Sequence, residues 1–381
     1  GSKSVARYWL VNGASRWRMG EKGDNSFPNG YWESFRNVVK GTKSDALIIG
    51  ELWQKDSTLL RFLRGDRADT TINYHLQDAV LGLMAPGPFD SKGFADSGRI
   101  INPSEFAARL ASIREDYPDA AFNSLMNLLD SHDTARLLWV LTPGDNTRAD
   151  KELNSANLAA GKQRLKIASL IQFTLPGAPT IYYGDEVGVT GNDDPDDRRT
   201  YPWADKGGSP DMSLFTHYQT LARLRKQNTA LTAGDLRMLL ADDSAGTVAY
   251  GRKTTSQAAL VVINRGPNTQ TVNIPLAGYV PDGFTFRSLY GVGNTGSVSA
   301  TVTAGVLSVD LNPQSAWLLT TGNVDLKAPR APSNLGITTG NVRADLSWNP
   351  VPGAAGYNLY RSPLSGGGWV KVNTAILTGT T

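Results

Sequence analysis

The sequence predicts an α/β fold that gives way, past its midpoint, to an antiparallel β part. Up to about residue 230, short apolar runs alternate with stretches of helical periodicity, the pattern of a parallel sheet or barrel. From about 236 to 321 the chain is β-branched and turn-rich, with short strands at regular spacing, as in an antiparallel sandwich. Three apolar runs of the first part also end abruptly in polar clusters: Ala46–Gly50 runs into Glu51, Leu125–Leu129 into Asp130-Ser131-His132-Asp133-Thr134, and Pro179–Tyr183 into Gly184-Asp185-Glu186. A buried strand that empties polar groups at its C-terminal end is how an α/β barrel presents chemistry.

Taken in order, Ser4 to Val11 reads as a short helix feeding a strand at Arg16-Trp17-Arg18-Met19. Tyr31, Trp32, Phe35, Val38 and Val39 recur with the period of an amphipathic helix. The strand ending at Glu51 follows, then a β-prone run at Thr71-Ile72-Asn73-Tyr74 and a helix from Gln77 to Met84. Phe106, Leu110 and Ile113 mark another helix, for which Ser104 is the expected N-cap. After the Leu125–Leu129 strand, a long helix is expected from Leu153 to Leu175, stopped by Pro176-Gly177. Leu214, Tyr218, Leu221 and Leu224 mark the last helix of this part. Thr247–Tyr250, Ala259–Ile263, Thr271–Ile274 and Val306–Val309 are strands of the sandwich. A Pro-rich linker, Lys327–Pro332, precedes Ala344–Trp348 and Gly356–Arg361, which read as strands of a further sandwich. The expected divisions are residues 1–232, 233–322, a linker at 323–331, and 332–381.

Composition narrows the function. With 381 residues there is length for two or three domains, and 40% apolar with 19% charged residues describes a globular chain. A net charge of +3 with scattered Lys and Arg argues against a nucleic-acid or anionic-membrane partner. The absence of cysteine excludes disulfides and thiolate chemistry, and three histidines far apart argue against a histidine-built zinc site. No apolar run is long enough to span a membrane, and no apolar leader follows Gly1-Ser2-Lys3-Ser4. Nine tryptophans and thirteen tyrosines suit sugar stacking, although core packing uses the same residues.

Glu51 and Asp133 each stand where an apolar strand ends. In a parallel barrel those ends share one cleft, so two carboxylates distant in sequence meet in space. Such a pair suits acid/base cleavage of a glycosidic bond. The alternative for each is a helix cap or a salt bridge.

Gly50-Glu51-Leu52-Trp53 and Leu129–Arg136 resemble two signature segments of the α-amylase superfamily, glycoside hydrolase family thirteen. Ile181–Gly188 resembles its eighth-strand segment, and Asp193–Arg199 the loop of neopullulanases, cyclomaltodextrinases and amylopullulanases. Trp348–Ala354 through Tyr360-Arg361 resembles a fibronectin type III module, here truncated. The resemblance implies the C-terminal part of a (β/α)8 TIM barrel, strands four to eight, followed by an antiparallel β-sandwich and the fibronectin-like module. It further implies a retaining hydrolase of starch, pullulan and maltooligosaccharides. Glu51 is then the general acid/base and Asp133 the stabiliser of the transition state. Arg18, Trp53, His132, Asp194 and Arg198 become sugar contacts, while Asp185 and Glu186 fix the last loop and His75 and His217 are structural. No cofactor is required; Asp193–Asp197 could offer oxygens to calcium, but not with EF-hand spacing. Fibronectin-like modules of this kind imply a secreted bacterial enzyme.

Two departures qualify the resemblance. The nucleophile's segment reads Arg16-Trp17-Arg18-Met19-Gly20-Glu21-Lys22, and Gly20 stands where the attacking aspartate is expected. Glycine cannot form the covalent glycosyl intermediate, and neither Glu21 nor Asp24 is well placed to substitute. The segments of the first three strands are also missing, so an open sheet with two edges and an exposed apolar face is expected. An internal fragment, inactive alone, is therefore expected; the alternatives are a non-catalytic α-glucan-binding protein, or a structural module whose sandwich domains do the work.

Overall fold

A computed structural model describes residues 4–20, 27–53, 57–91, 96–327, 331–352, 354, 356–363 and 367–381. The chain divides into two compact units, Gly1–Val324 and Asp325–Thr381.

In the first unit, β1 (Arg16–Met19), β2 (Leu47–Gly50) and β3 (Thr70–Thr71) pair in parallel, with Arg16 opposite Leu47 and Gly50 opposite Thr71. β4 (Met126–Asn127) and β5 (Ala178–Pro179) form a second parallel pair. A parallel bridge from Ile72 to Met126 joins the two, so five parallel strands follow one another in chain order. The connections carry α1 (Val5–Val11), α2 (Tyr31–Thr42), α3 (Ser57–Phe62), α4 (Tyr74–Met84), α5 (Pro103–Asp116), α6 (Asp119–Phe122), α7 (Leu137–Leu141) and α8 (Ser155–Thr174), with α9 (Met212–Gln227) and α10 (Thr229–Ala233) after β5.

Period-2 alternation sorts the strand residues. Ile48 and Leu52 face the helices and join the main core, whereas Ile49 turns to the other face. There Ile49, Ile72, Tyr74 and Leu128 make a small cluster of their own, with Leu47, Trp53 and Met126 packed against it. The apolar face expected to lie open is thus partly buried by its own side chains.

Several element boundaries differ from expectation for local reasons. Asn102, not Ser104, caps α5: its side chain accepts the Glu105 N–H at 3.2 Å, and Pro103 opens the helix where no N–H is needed. α4 begins three residues early because Asn73 accepts the Leu76 N–H at 3.2 Å. The long helix is interrupted at Asn154, which caps α8 after a single π-helical turn, Ala149–Leu153. The strand expected over Pro179–Tyr183 shrinks to Ala178–Pro179. Its ladder ends as the Thr180 N–H donates to Asn127 O at 2.8 Å, and Gly184 then turns the chain in the left-handed region.

β6 (Arg237–Asp242), β7 (Thr247–Lys253), β8 (Ala258–Asn264), β9 (Gln270–Pro275), β10 (Thr285–Val292), β11 (Ser299–Thr301), β12 (Val306–Leu311) and β13 (Ser315–Thr320) build the β-rich part. Six form one sheet in the order β11-β10-β13-β8-β7-β6, and β12 pairs with β9; the assigned ladders are antiparallel. It is fastened to the helices by buried polar groups. Arg252 donates to Gly234 O and Asp235 O at 2.9 and 2.6 Å and also to Thr174 O at the end of α8. Thr174 and Tyr250 hydroxyls lie 2.6 Å apart, and His217 of α9 joins Ser169 of α8 to Tyr290 of β10 at 2.8 and 2.7 Å. His217 is structural, as expected.

The second unit contains two antiparallel ladders, β14 (Gly336–Gly340) with β15 (Arg343–Ser347) and β16 (Tyr360–Arg361) with β17 (Val370–Lys371). Trp348 packs edge-on against Tyr357, with ring centroids 5.2 Å apart. None of its described residues is buried.

Candidate active site

Glu51 is the first residue past β2, and its N–H donates to Met19 O at 3.1 Å, carrying the β1–β2 register one step beyond the strands. Its carboxylate is buried, and Arg18 Nη2 lies 2.7 Å from Oε1. The Tyr74 hydroxyl donates to the same oxygen at 3.1 Å. Tyr74 also exchanges a hydrogen bond with the Ser131 side chain and senses the Asp133 charge. Burial, followed by the Glu51 charge, pushes the Tyr74 phenol far upward, so it stays a donor. One phenol therefore joins the end of β2 to the turn after β4, and the two predicted carboxylates share a neighbourhood. Trp53 stacks on that same ring, with centroids 3.4 Å apart and planes 11° from parallel.

Asp133 sits on a tight turn. The Ser131 N–H donates to Thr134 Oγ1 at 3.0 Å, the Asp133 N–H to Ser131 Oγ at 3.2 Å, and Gln77 Nε2 to Thr134 Oγ1 at 3.4 Å. The turn leaves His132 and Asp133 half in solvent, Nε2 of one 3.4 Å from Oδ2 of the other. Arg198 donates to His132 O through Nε and Nη2 at 3.0 and 2.9 Å. Arg198 Nη2 is also 2.8 Å from Asp194 Oδ2 and 3.9 Å from Asp133 Oδ1. His132, Asp133, Asp194 and Arg198 thus form one connected polar chain.

Gly20 follows β1 directly. A Cβ on it would stand 3.1 Å from Arg18 Nη1 and 3.9 Å from Glu51 Oε2, so a side chain there would enter the Arg18–Glu51 pair. Glu21 and Asp24, the weaker candidates for the same role, lie outside the described residues.

Asp185 and Glu186 act on the loop itself. The Gly184 N–H donates to Glu186 Oε2 at 2.8 Å, and Asp185 is buried beside Arg136. His75 is the second residue of α4. In the acidic loop, Asp194 pairs with Arg198 and Asp196 with Arg199 at 2.6 Å. Among the described residues no group of three or more His, Cys, Asp or Glu side chains could hold a metal ion.

Residues 21–208 match the alpha-amylase catalytic domain. That stretch, just under half of the chain, is similar to the alpha-amylase family's catalytic domain. The amylopullulanase of Thermoanaerobacterium thermosulfurigenes is 36% identical over 97% of this chain and 20% of its own length. The neopullulanase 2 of Thermoactinomyces vulgaris is 35% identical over 70% of this chain and 40% of its own length. The Nostoc punctiforme debranching enzyme superposes with a TM-score of 0.66 at 26% identity, over 83% of this chain and 60% of that one. The chain spans only 20 to 29% of the amylopullulanases it matches.

Within this alpha-amylase segment the structure adds residues that motif reading passed over. In the sequence Tyr74 belongs to a β-prone run, yet it touches both halves of the site. Arg136, the last residue of the Leu129–Arg136 motif, is fully buried. The alpha-amylase match starts one residue after Gly20, so it does not reach the altered position.

Proposed function

We propose that the first unit is the strand-four-to-eight portion of a retaining α-glucan hydrolase of the pullulanase and neopullulanase type, which holds sugar but does not cleave it. The single observation that carries this is the missing side chain at Gly20, between Arg18 and Glu51. A side chain at this position would adjoin both Arg18 and Glu51, which supports reading it as the place of the lost nucleophile beside the proposed acid. Glu51 would protonate a leaving oxygen, Asp133 and His132 would hold the reacting sugar, and Trp53, Asp194 and Arg198 would contact neighbouring sugars. Without a nucleophile the double displacement has no first step.

The amylopullulanase, neopullulanase and cyclomaltodextrinase names of its relatives support an α-glucan as ligand. The β-rich part fits the sandwich that follows such barrels, and the pairing of Trp348 with Tyr357 supports the fibronectin-like reading of 332–381. Secretion belongs to the same reading, which requires no cofactor.

Incubating the purified chain with pullulan, starch and cyclodextrins should release no reducing sugar above background. Turnover abolished by Glu51→Gln would overturn the inactive reading. A non-catalytic glucan-binding role is favoured by the intact polar chain from His132 to Arg198. It requires saturable maltooligosaccharide binding by calorimetry that is lost in Asp133→Ala.

A further inference from the structure

The turns that carry His132, Asp133, Asp194 and Arg198 hang on one buried guanidinium. Arg136 is fully enclosed. Its backbone N–H donates to Gly191 O at 3.0 Å, its Nε to Asp197 O at 2.6 Å and its Nη1 to Tyr183 O at 2.5 Å. The guanidinium carbon lies 3.8 and 4.6 Å from the ring centroids of Tyr182 and Tyr183. The guanidinium's acceptors are main-chain carbonyls at two places, the turn after β5 and the end of the 191–197 loop, while the main chain of Arg136 itself holds the start of that loop. A planar fork with several fixed donors can bridge such places, which a single ammonium cannot.

Three buried carboxyls stand around it. Asp130 Oδ2 accepts the Leu137 N–H at 2.8 Å, Asp185 Oδ1 lies 3.5 Å from Arg136 Nη1, and both oxygens of Asp197 are enclosed with no donor. One guanidinium cannot neutralise three buried carboxylates. Burial, and then the charge of Asp130, pushes Asp185 well above the ordinary aspartate range, and burial raises Asp130 and Asp197 as well. The Asp130 and Asp185 carboxyls adjoin, so a proton shared between them relieves the repulsion of two buried charges. The other charged or titratable groups facing this pair are Arg136, Asp197, Glu186 and, from α9, the buried Tyr218.

We propose that Arg136 is a positioning residue: with Asp130, Asp185 and Asp197 it locks the His132–Asp133 turn to the Asp194–Arg198 loop, so the sugar contacts arrive pre-arranged. An ordinary buried salt bridge would aim its donors at carboxylate oxygens. Here Nε and Nη1 go to loop carbonyls and Nη2 is enclosed without an acceptor, while Asp185, the carboxyl paired with the guanidinium, stands 3.5 Å off.

Hydrogen exchange read by mass spectrometry on the full chain separates the two. In Arg136→Gln, amides of 131–136 and 189–198 should exchange about tenfold faster, with α8 and β7–β8 unchanged, and Arg136→Lys should recover only part of the protection. A uniform rise, or none, overturns the proposal. If Arg136→Gln does not fold, the near-isosteric Asp185→Asn decides. After correction for intrinsic exchange, loop protection in the unsubstituted chain should fall as pH rises through the titration of the shared proton, and Asp185→Asn should flatten that profile. An unchanged profile overturns the proposal.

The binding arm rests on the α-glucan reading: Arg136→Gln should weaken maltooligosaccharide binding about tenfold. If the unsubstituted chain binds no maltooligosaccharide, the α-glucan reading falls, and the exchange result alone decides the lock.

Discussion

Arg18 Nη2 lies 2.7 Å from Glu51 Oε1, and the Nη1 of the same guanidinium lies 3.1 Å from the point where a Cβ on residue 20 would stand. The cation that pairs with the proposed acid therefore also borders the vacant nucleophile position. Gly20→Asp should fit by displacing only the far end of a flexible side chain. The expected outcome is reducing-sugar release from maltooligosaccharides above that of the unsubstituted chain, and Glu51→Gln in the same background should reduce it by about 10²-fold or more. A gain that survives Glu51→Gln would remove Glu51 from the acid role.

Tyr74→Phe should disconnect the two halves of the site. The lost hydroxyl serves Glu51 and Ser131 together, in a buried setting. A stability loss of about 1 kcal/mol in urea unfolding is expected, together with weaker sugar binding. A stability loss with full affinity would leave Tyr74 as packing alone.

Asp211 caps α9, accepting the Ser213 and Leu214 N–H groups at 2.9 and 3.2 Å, and Lys162 Nζ lies 2.7 Å away. Burial acts to raise its carboxyl, but Lys162, Ser213 and the Leu214 N–H outweigh it and hold the group at about 2. A depressed carboxyl stabilises the fold above its unfolded value and loses that contribution as pH falls toward 2. Asp211→Ala should lower stability by about 1 kcal/mol at pH 7 and narrow its difference from the unsubstituted chain below pH 3.

His217 behaves in the opposite chemical sense. Burial, aided by the Lys166 charge, lowers its imidazole to about 3, so the folded chain keeps it neutral. Between the ordinary value of 6.5 and about 3 the unfolded chain takes up the proton that the folded chain refuses. Stability should therefore decline as pH falls through that window. Thermal unfolding of His217→Gln should show a shallower decline between pH 6 and 4; an equal slope would acquit His217.

What the sequence revealed and what it concealed follow from the range of the forces involved. The strand end at Glu51 was legible because period-2 burial and a sudden polar cluster are local signals, whereas the strand expected over Leu125–Leu129 shrinks to Met126–Asn127 and leaves Asp133 on a turn beyond it. The strand expected at Pro179–Tyr183 was misjudged because an apolar run does not tell whether its ladder continues, and here Gly184 and the Thr180 bond to Asn127 end it. Ser104 lost the cap to Asn102 because the two residues compete for one turn and Pro103 favours the earlier start. Tyr74 and Arg136 stayed hidden for a different reason. Their partners, Glu51 and Ser131 for one and Tyr183, Gly191 and Asp197 for the other, are tens of residues away, and a single sequence carries no trace of that pairing.

The second unit has a practical consequence. Its described residues leave Trp369, Val370, Val372 and Ile376 on the outside, beside two short ladders with unpaired edges. Apolar side chains next to free strand edges invite other chains to add on. The concentration at which this protein clouds should therefore be governed by residues 325–381, and removing them should raise its solubility.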